Sequence, residues 1–265
     1  MELQYLVESE KKAEQCLALE REQEIYCEKE NLDEEHFIVT FRSKSNDRRA
    51  ACRLSDLNAA VTDMISPTVL VNGSAAYFNK ILYPLVNDFE RKLRKLLYIA
   101  SVNRPAKEDV ISELETKDFG KIFNDLFHDR NYSSKVRAFV NEGKKKNGSE
   151  EKTWEEYASE LTAFLESIKE NSFWDSNLSD YAPTLRKHFL EIKLRRNDVM
   201  HAHNIDRKTF SAAESLFKTV NRELVQAIDN ISHSKNIPET FNQSLANIIF
   251  LEDSASETIS AEIIA

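Results

Sequence analysis

Arg196, Asn197 and His201 stand in the order Arg-Asn-x-x-x-His within LRRNDVMHAHNID, Leu194 to Asp206. The three side chains supply complementary chemistry. Imidazole titrates near neutral pH, at about 6.5 when unperturbed, and can take or give a proton in a transition state. Guanidinium stays charged and offers a planar fork of donors that matches a phosphate. The amide of Asn197, four residues before His201, can touch the imidazole on a helix and orient it or the phosphate. Proton transfer at a phosphate centre is the chemistry this pattern suits. Arg195 and His203 give the same pairing at neighbouring spacings, so His203 either shares the proton transfers or fills a polar gap in the core. His201-x-His203 has only Asp198 and Asp206 as nearby acidic ligands, a poor set for zinc, and no metal or other cofactor is expected. The chain carries no Walker-type loop, GxGxxG or GxSxG, so triphosphate hydrolysis, dinucleotide binding and an esterase elbow have no local support.

The elements that must hold these residues are mainly helical. Only four glycines and five prolines occur in 265 residues, far below ordinary usage. Placing residues 185–203 on one helix puts Leu185, Phe189, Ile192, Arg196, Val199 and His203 on one stripe, and Leu190, Leu194, Asn197 and His201 on a second. Arg196 and His201 would then lie about 140° apart and roughly 7.5 Å along the axis. Either the helix ends or bends near Met200, or the site is built from two copies of the helix across a two-fold axis.

Three regions follow from the patterning. Residues 1–74 read as a charged helix over 1–31, then HFIVTF (His36 to Phe41) and AACRL (Ala50 to Leu54) as strands around SKSNDRR, then a helix capped by Ser55 that stops before Pro67. This is a small α+β module. Residues 75–232 read as four or five packed helices. The first is carried by Leu82, Leu85, Val86, Phe89, Leu93, Leu96 and Leu97, with Pro84 in its first turn. A second covers about Ala106 to Phe127, with a break near Gly120. The stretch Asn141 to Lys152 reads as an exposed loop. Thr153-x-x-Glu156 and Ser211-x-x-Glu214 read as capping boxes, the second near the start of a last long helix striped by Phe210, Ala213, Phe217, Val220, Leu224, Ile228 and Ile231. Residues 233–265 read as a partly disordered tail with an apolar patch at Ile248 to Leu251.

Net charge is −9, which argues against a general nucleic-acid coat. Residues 80–230 are nearly neutral, however, and Arg186, Lys187, Lys193, Arg195 and Arg196 crowd the motif with Glu191 and Asp198 as counter-charges. Arg186, Lys187 and Lys193 are the candidate RNA contacts. The cysteines Cys16, Cys27 and Cys52 include no CxxC pair, so a disulfide framework is not expected; Cys16 and Cys27 read as small apolar residues sharing a helix face. No apolar run approaches the roughly 18 residues of a membrane span, and MELQYLVESEKKAEQ lacks the basic-then-apolar order of a signal peptide. A cytoplasmic protein without membrane contact is the expectation.

Arg196-Asn197-x-x-x-His201, together with FERKLR in the first long helix, resembles the HEPN family of small helical domains, over about residues 75–232. The resemblance implies a HEPN-like helical bundle preceded by the α+β module, and a metal-independent endoribonuclease of the toxin or anti-phage abortive-infection type. It also implies a homodimer with a composite site, and an acidic residue, here Glu90, facing the signature. Glu90 and Arg94 read equally as a surface i,i+4 ion pair worth about 0.3–0.5 kcal/mol. Within the resemblance His201 is the acid or base, Arg196 carries transition-state charge, Asn197 orients, and Arg195 and His203 support. The substrate would be RNA, tRNA included, and an inhibitory or activating protein partner would restrain the enzyme. Two other readings compete: a non-catalytic HEPN-like module that binds nucleotide, RNA or protein, and an acidic scaffold in which Arg196 is a buried ion-pair partner.

Overall fold

The computed structural model describes residues 1–19, 25–102, 109–146, 153–167, 171–233 and 237–250. The chain opens β1 (Glu2–Glu8), α1 (Glu10–Leu17), β2 (Ile25–Asn31), β3 (His36–Ser43), α2 (Arg48–Ile65) and β4 (Thr68–Asn72). The strands form one sheet in the order β2-β3-β1-β4, every neighbouring pair antiparallel. A β-α-β-β-α-β chain with this order has the ferredoxin-like topology. Leu3, Tyr5 and Val7 alternate along β1 and stand opposite Phe41, Val39 and Phe37 of β3. They share one core with Ala13 and Cys16 of α1 and Leu54, Val61 and Ile65 of α2. Charged cross-strand pairs occupy exposed positions, where Arg42 donates to Glu2 at 3.1 Å and to Glu28 at 2.8 Å.

The module is α+β, but three of its parts differ from the sequence reading. Where one charged helix over 1–31 was expected, Glu2–Glu8 and Ile25–Asn31 are strands and Glu10–Leu17 a short helix, because the period-two alternation of β1 lies hidden among glutamates. Cys16 therefore sits on α1 and Cys27 on β2, with no shared helix face. AACRL belongs to α2 and not to a strand. Asp47 caps that helix by accepting from the Ala50 N–H at 2.9 Å, and Ala50, Ala51 and Leu54 bury a helical stripe. Ser55 consequently lies within α2.

The remaining elements are α3 (Gly73–Val102), α4 (Asp109–Thr116), α5 (Phe119–Phe127), α6 (Arg130–Lys146), α7 (Trp154–Ser167), α8 (Phe173–Asn177), α9 (Pro183–Lys187), α10 (Phe189–Met200), α11 (Arg207–His233) and α12 (Phe241–Phe250). Asn72 starts α3 earlier than expected, its Oδ1 accepting from the Ala75 N–H at 3.0 Å. Pro84 therefore falls in the interior of the helix, on an exposed position. Gly73 is required at this junction, since a Cβ there would meet the Glu2 carbonyl oxygen at 2.6 Å. Asp118 caps α5 and makes the break between α4 and α5, leaving Gly120 inside α5. The expected loop at Asn141 is helical as far as Lys146; its continuation, 147–152, lies outside the described residues, as does the end of the tail, 251–265. The Thr153–Glu156 box forms in both directions, at 3.0 and 3.3 Å.

Two compact units result: Met1–Phe89 with Leu190–Asn221, and Glu90–Phe189 with Arg222–Ala265. In the first, Phe78, Leu82, Val86 and Phe89 of α3 are buried, as are Phe210, Ala213, Phe217 and Val220 of α11. The rings of Phe78 and Phe210 stack at 4.4 Å. In the second, Phe127 stacks on Trp174 at 4.9 Å and on Phe189 at 5.2 Å. Phe241, Leu245 and Ile249 bury one side of α12, so this part of the expected tail is folded.

Glu214 does not complete a capping box with Ser211. Arg207 lies ahead of it as the first residue of α11, and Asp206 caps the helix by accepting from the Thr209 N–H at 2.6 Å. Glu214 instead takes Arg48 of α2 at 2.6 Å and Lys218 at 2.7 Å. Burial disfavours its charge, yet the hydrogen bonds from Arg48 and Lys218 and the attraction of both cations outweigh this and hold the carboxyl below the usual glutamate range. A carboxyl lowered in the folded state adds stability above its unfolded pKa, about 4.3, and that stability disappears as pH falls through the folded value. Acid denaturation followed by circular dichroism should therefore steepen below about pH 4.3, and Glu214→Gln should flatten that limb. Identical acid limbs in the two proteins would contradict the assignment.

Candidate active site

α10 places the motif. Ile192 and Val199 bury one side of it, while Leu190 and Leu194 on the other side are 67% and 53% exposed. The helix ends at Met200, as the divergence of Arg196 and His201 on a straight helix allowed. The Ala202 N–H donates to the Val199 carbonyl at 3.2 Å and the His203 N–H to the Asp198 carbonyl at 2.8 Å. These are the two bonds of a Schellman turn, with Ala202 in its left-handed position at φ 52°. Glycine is the usual residue there, because a Cβ in this conformation costs about 1–2 kcal/mol. Ala202→Gly should raise stability by about 0.5–1 kcal/mol after the entropy of the glycine is counted, seen as a higher thermal midpoint. A lower midpoint would mean that the turn is not left-handed.

The turn is anchored from three directions within its compact unit. Asn79 Nδ2 of α3 donates to the His203 carbonyl at 2.9 Å. Ile205 is buried. Beyond it, α2 holds the first residue of α11: the Arg207 N–H donates to Ser55 Oγ at 2.9 Å and Arg207 Nη1 to Asp56 Oδ2 at 2.6 Å.

The side chains fall into linked pairs. Arg196 Nη1 donates to Asn197 Oδ1 at 3.1 Å. Arg195 Nη1 donates to Asp198 Oδ2 at 3.1 Å, and His203 Nδ1 lies 3.2 Å from Asp198 Oδ1. His201 and His203 are both exposed, their ring centroids 5.8 Å apart and their planes at 30°. Arg195, Arg196, Asn197 and Asp198 are half-buried. The arrangement offers two accessible imidazoles beside a cationic, amide-bearing helix end.

The other residues singled out in the sequence fall in both compact units. Lys193 is half-buried on α10. Arg186 and Lys187 close α9 in the second unit, where Arg186 makes a two-point pair with Asp175 at 2.6 and 2.7 Å and stands over the Phe189 ring. Glu90 also belongs to the second unit and is half-buried. Arg94 is turned to the end of α4, where it donates to the Leu114 carbonyl and, at 2.9 Å, to that of Lys117, with Phe119 beneath its guanidinium.

Sequence reasoning missed Asp198 as a partner of His203, and missed Asn79, Ser55 and Asp56 as supports. A glycine at 202 would have announced the turn that makes the first contact; alanine conceals it. A cleft of about 430 Å³ in the second unit is lined by Asp125, His128, Asp129 and several asparagines and serines. Those polar groups largely serve local structure: Asp129 accepts from the Tyr132 and Asn171 N–H groups, and His128 meets Ser133. Among the described residues no cluster of three or more His, Cys, Asp or Glu could hold a metal ion, and no helix is long and apolar enough to cross a membrane. No family model, curated protein or solved structure matches this chain.

Proposed function

We propose that the protein is a metal-independent endoribonuclease of HEPN type, acting as a toxin or abortive-infection effector. The observation that carries this reading is the turn at Ala202, which sets His201 and His203 side by side at the exposed end of the helix bearing Arg196 and Asn197. An imidazole takes the proton of the RNA 2′-hydroxyl, and a protonated imidazole supplies one to the leaving 5′-oxygen. Arg196 stabilises the charge of the phosphorane-like transition state, and Asn197, already bonded to Arg196, orients that guanidinium.

A homodimer suits this chemistry. Leu190 and Leu194 expose an apolar stripe that runs along α10 toward Asn197 and His201. Burying it against a second copy would bring the histidines of one subunit to the Arg196 of the other. Restraint by a protein partner fits an enzyme whose two imidazoles are accessible.

The test is incubation of the purified protein with total RNA and with tRNA in excess EDTA, followed by analysis of the fragment ends. Fragments carrying 2′,3′-cyclic phosphate and 5′-hydroxyl ends are expected. Strict dependence on added metal would overturn the mechanism. Specific RNA binding without any product by the folded dimer would favour a non-catalytic module.

A further inference from the structure

The Asp198 carboxylate joins two groups that the Arg-Asn-x-x-x-His spacing does not connect. Arg195 holds one of its oxygens at 3.1 Å, and His203 Nδ1 stands 3.2 Å from the other. Asp198 is 18% exposed at the side chain and His203 58%, so a sheltered carboxylate supports an imidazole that reaches solvent. The backbone fixes the same geometry, since the His203 N–H is bonded to the Asp198 carbonyl at 2.8 Å and its carbonyl to Asn79. An ionised carboxylate only accepts hydrogen bonds, so the shared hydrogen belongs to Nδ1. Neutral His203 is then the Nδ1–H tautomer, with its lone pair on Nε2, the ring nitrogen remote from the carboxylate. The neighbouring His201 ring is 5.8 Å away, and its nitrogens have no hydrogen-bond partner among the described residues.

We propose that Asp198 is a positioning residue that fixes the His203 tautomer, and that His203, acting through Nε2, is the second proton-transfer group alongside His201 of the same subunit. The proposal rests on the ribonuclease reading. One imidazole accepts the 2′-hydroxyl proton as the 2′-oxygen bonds to phosphorus. The other, entering as imidazolium, gives its proton to the 5′-oxygen as the phosphorus–oxygen bond breaks. The products are a 2′,3′-cyclic phosphate and a 5′-hydroxyl, and the two rings end with their protonation states exchanged.

Two readouts on the full chain test this. In protein labelled with 15N-histidine, held at a pH where the imidazoles are neutral, long-range proton–nitrogen correlation should give the Nδ1–H pattern for His203. Asp198→Ala should return it to the Nε2–H-rich mixture of a free imidazole, whereas Asp198→Asn, which keeps an acceptor oxygen, should preserve it. An Nε2–H pattern in the wild type, or one that Asp198→Ala leaves unmoved, overturns the positioning role. In single-turnover cleavage of RNA, His203→Ala should be slower by about 100-fold or more, and Asp198→Ala by on the order of 10-fold. Adding Asp198→Ala to His203→Ala should slow it no further. Equal cleavage by His203→Ala and wild type overturns the catalytic role. A wild type that leaves RNA intact removes the ribonuclease reading and the role of His203 with it, while the tautomer result still decides what Asp198 does.

Discussion

His201→Ala should reduce RNA cleavage by about 10²- to 10⁴-fold and leave the thermal midpoint where it is. The separation of the two effects follows from the position of the residue. His201 is the first residue beyond α10, its side chain is exposed, and its backbone N–H, bonded to the Asn197 carbonyl at 3.0 Å, is retained in the variant. Truncation removes the proposed proton-transfer group but neither core contact nor cap, and exposed substitutions of this kind usually stay within about 0.5 kcal/mol. Measurement of initial rates in EDTA beside a denaturation curve checks both halves. Wild-type rates in the variant would remove His201 from the chemistry, and a large fall in midpoint would make it a structural residue.

Phe210→Ala should have the opposite signature, a loss of about 3–5 kcal/mol. Phe210 is fully buried in the early part of α11, stacked on Phe78 at 4.4 Å with planes 13° apart, and the Arg48 guanidinium lies 4.9 Å from its ring centroid. Deleting the ring opens a cavity and removes the surface that α2 and α3 both use. Because the chain has two compact units, hydrogen exchange of amides in Gly73–Phe89 of α3 and Arg207–Asn221 of α11 reads the loss in the unit that contains Phe210. Protection lowered by less than about 1 kcal/mol would show that the stack contributes little.

The legible parts of this chain were those in which one local rule acts alone. The stripe from Phe210 to Ile231 announced α11, and every member of it is buried. The Thr153–Glu156 box was legible for the same reason, whereas the end of α10 at Met200 was one of two alternatives that the divergence of Arg196 and His201 left open. The N-terminal sheet was harder. β1 buries Leu3, Tyr5 and Val7 on one face, but the glutamates beside them and the charged α1 make the whole stretch look like one solvated helix. Ser211-x-x-Glu214 matched a local pattern and lost to a distant partner, since Arg48 lies 166 residues away in sequence. The candidate site divides likewise. Arg196, Asn197 and His201 stand out by spacing, whereas the link from Asp198 to His203 needs a left-handed turn that an alanine does not advertise.

The grip of Ser55 and Asp56 on Arg207 joins early-made chain to late-made chain. Residues 1–89 leave the ribosome ahead of the segment 190–221 that completes their compact unit, with residues 90–189 made in between. At about 5–20 residues per second that interval lasts roughly 5–20 s. The ferredoxin-like sheet has its own core and can form while it waits, with Arg48, Ser55 and Asp56 displayed on a helix that has nothing yet to hold. In the proposed ribonuclease the turn that carries His201 and His203 would thus be assembled only after residues 90–189 have been made.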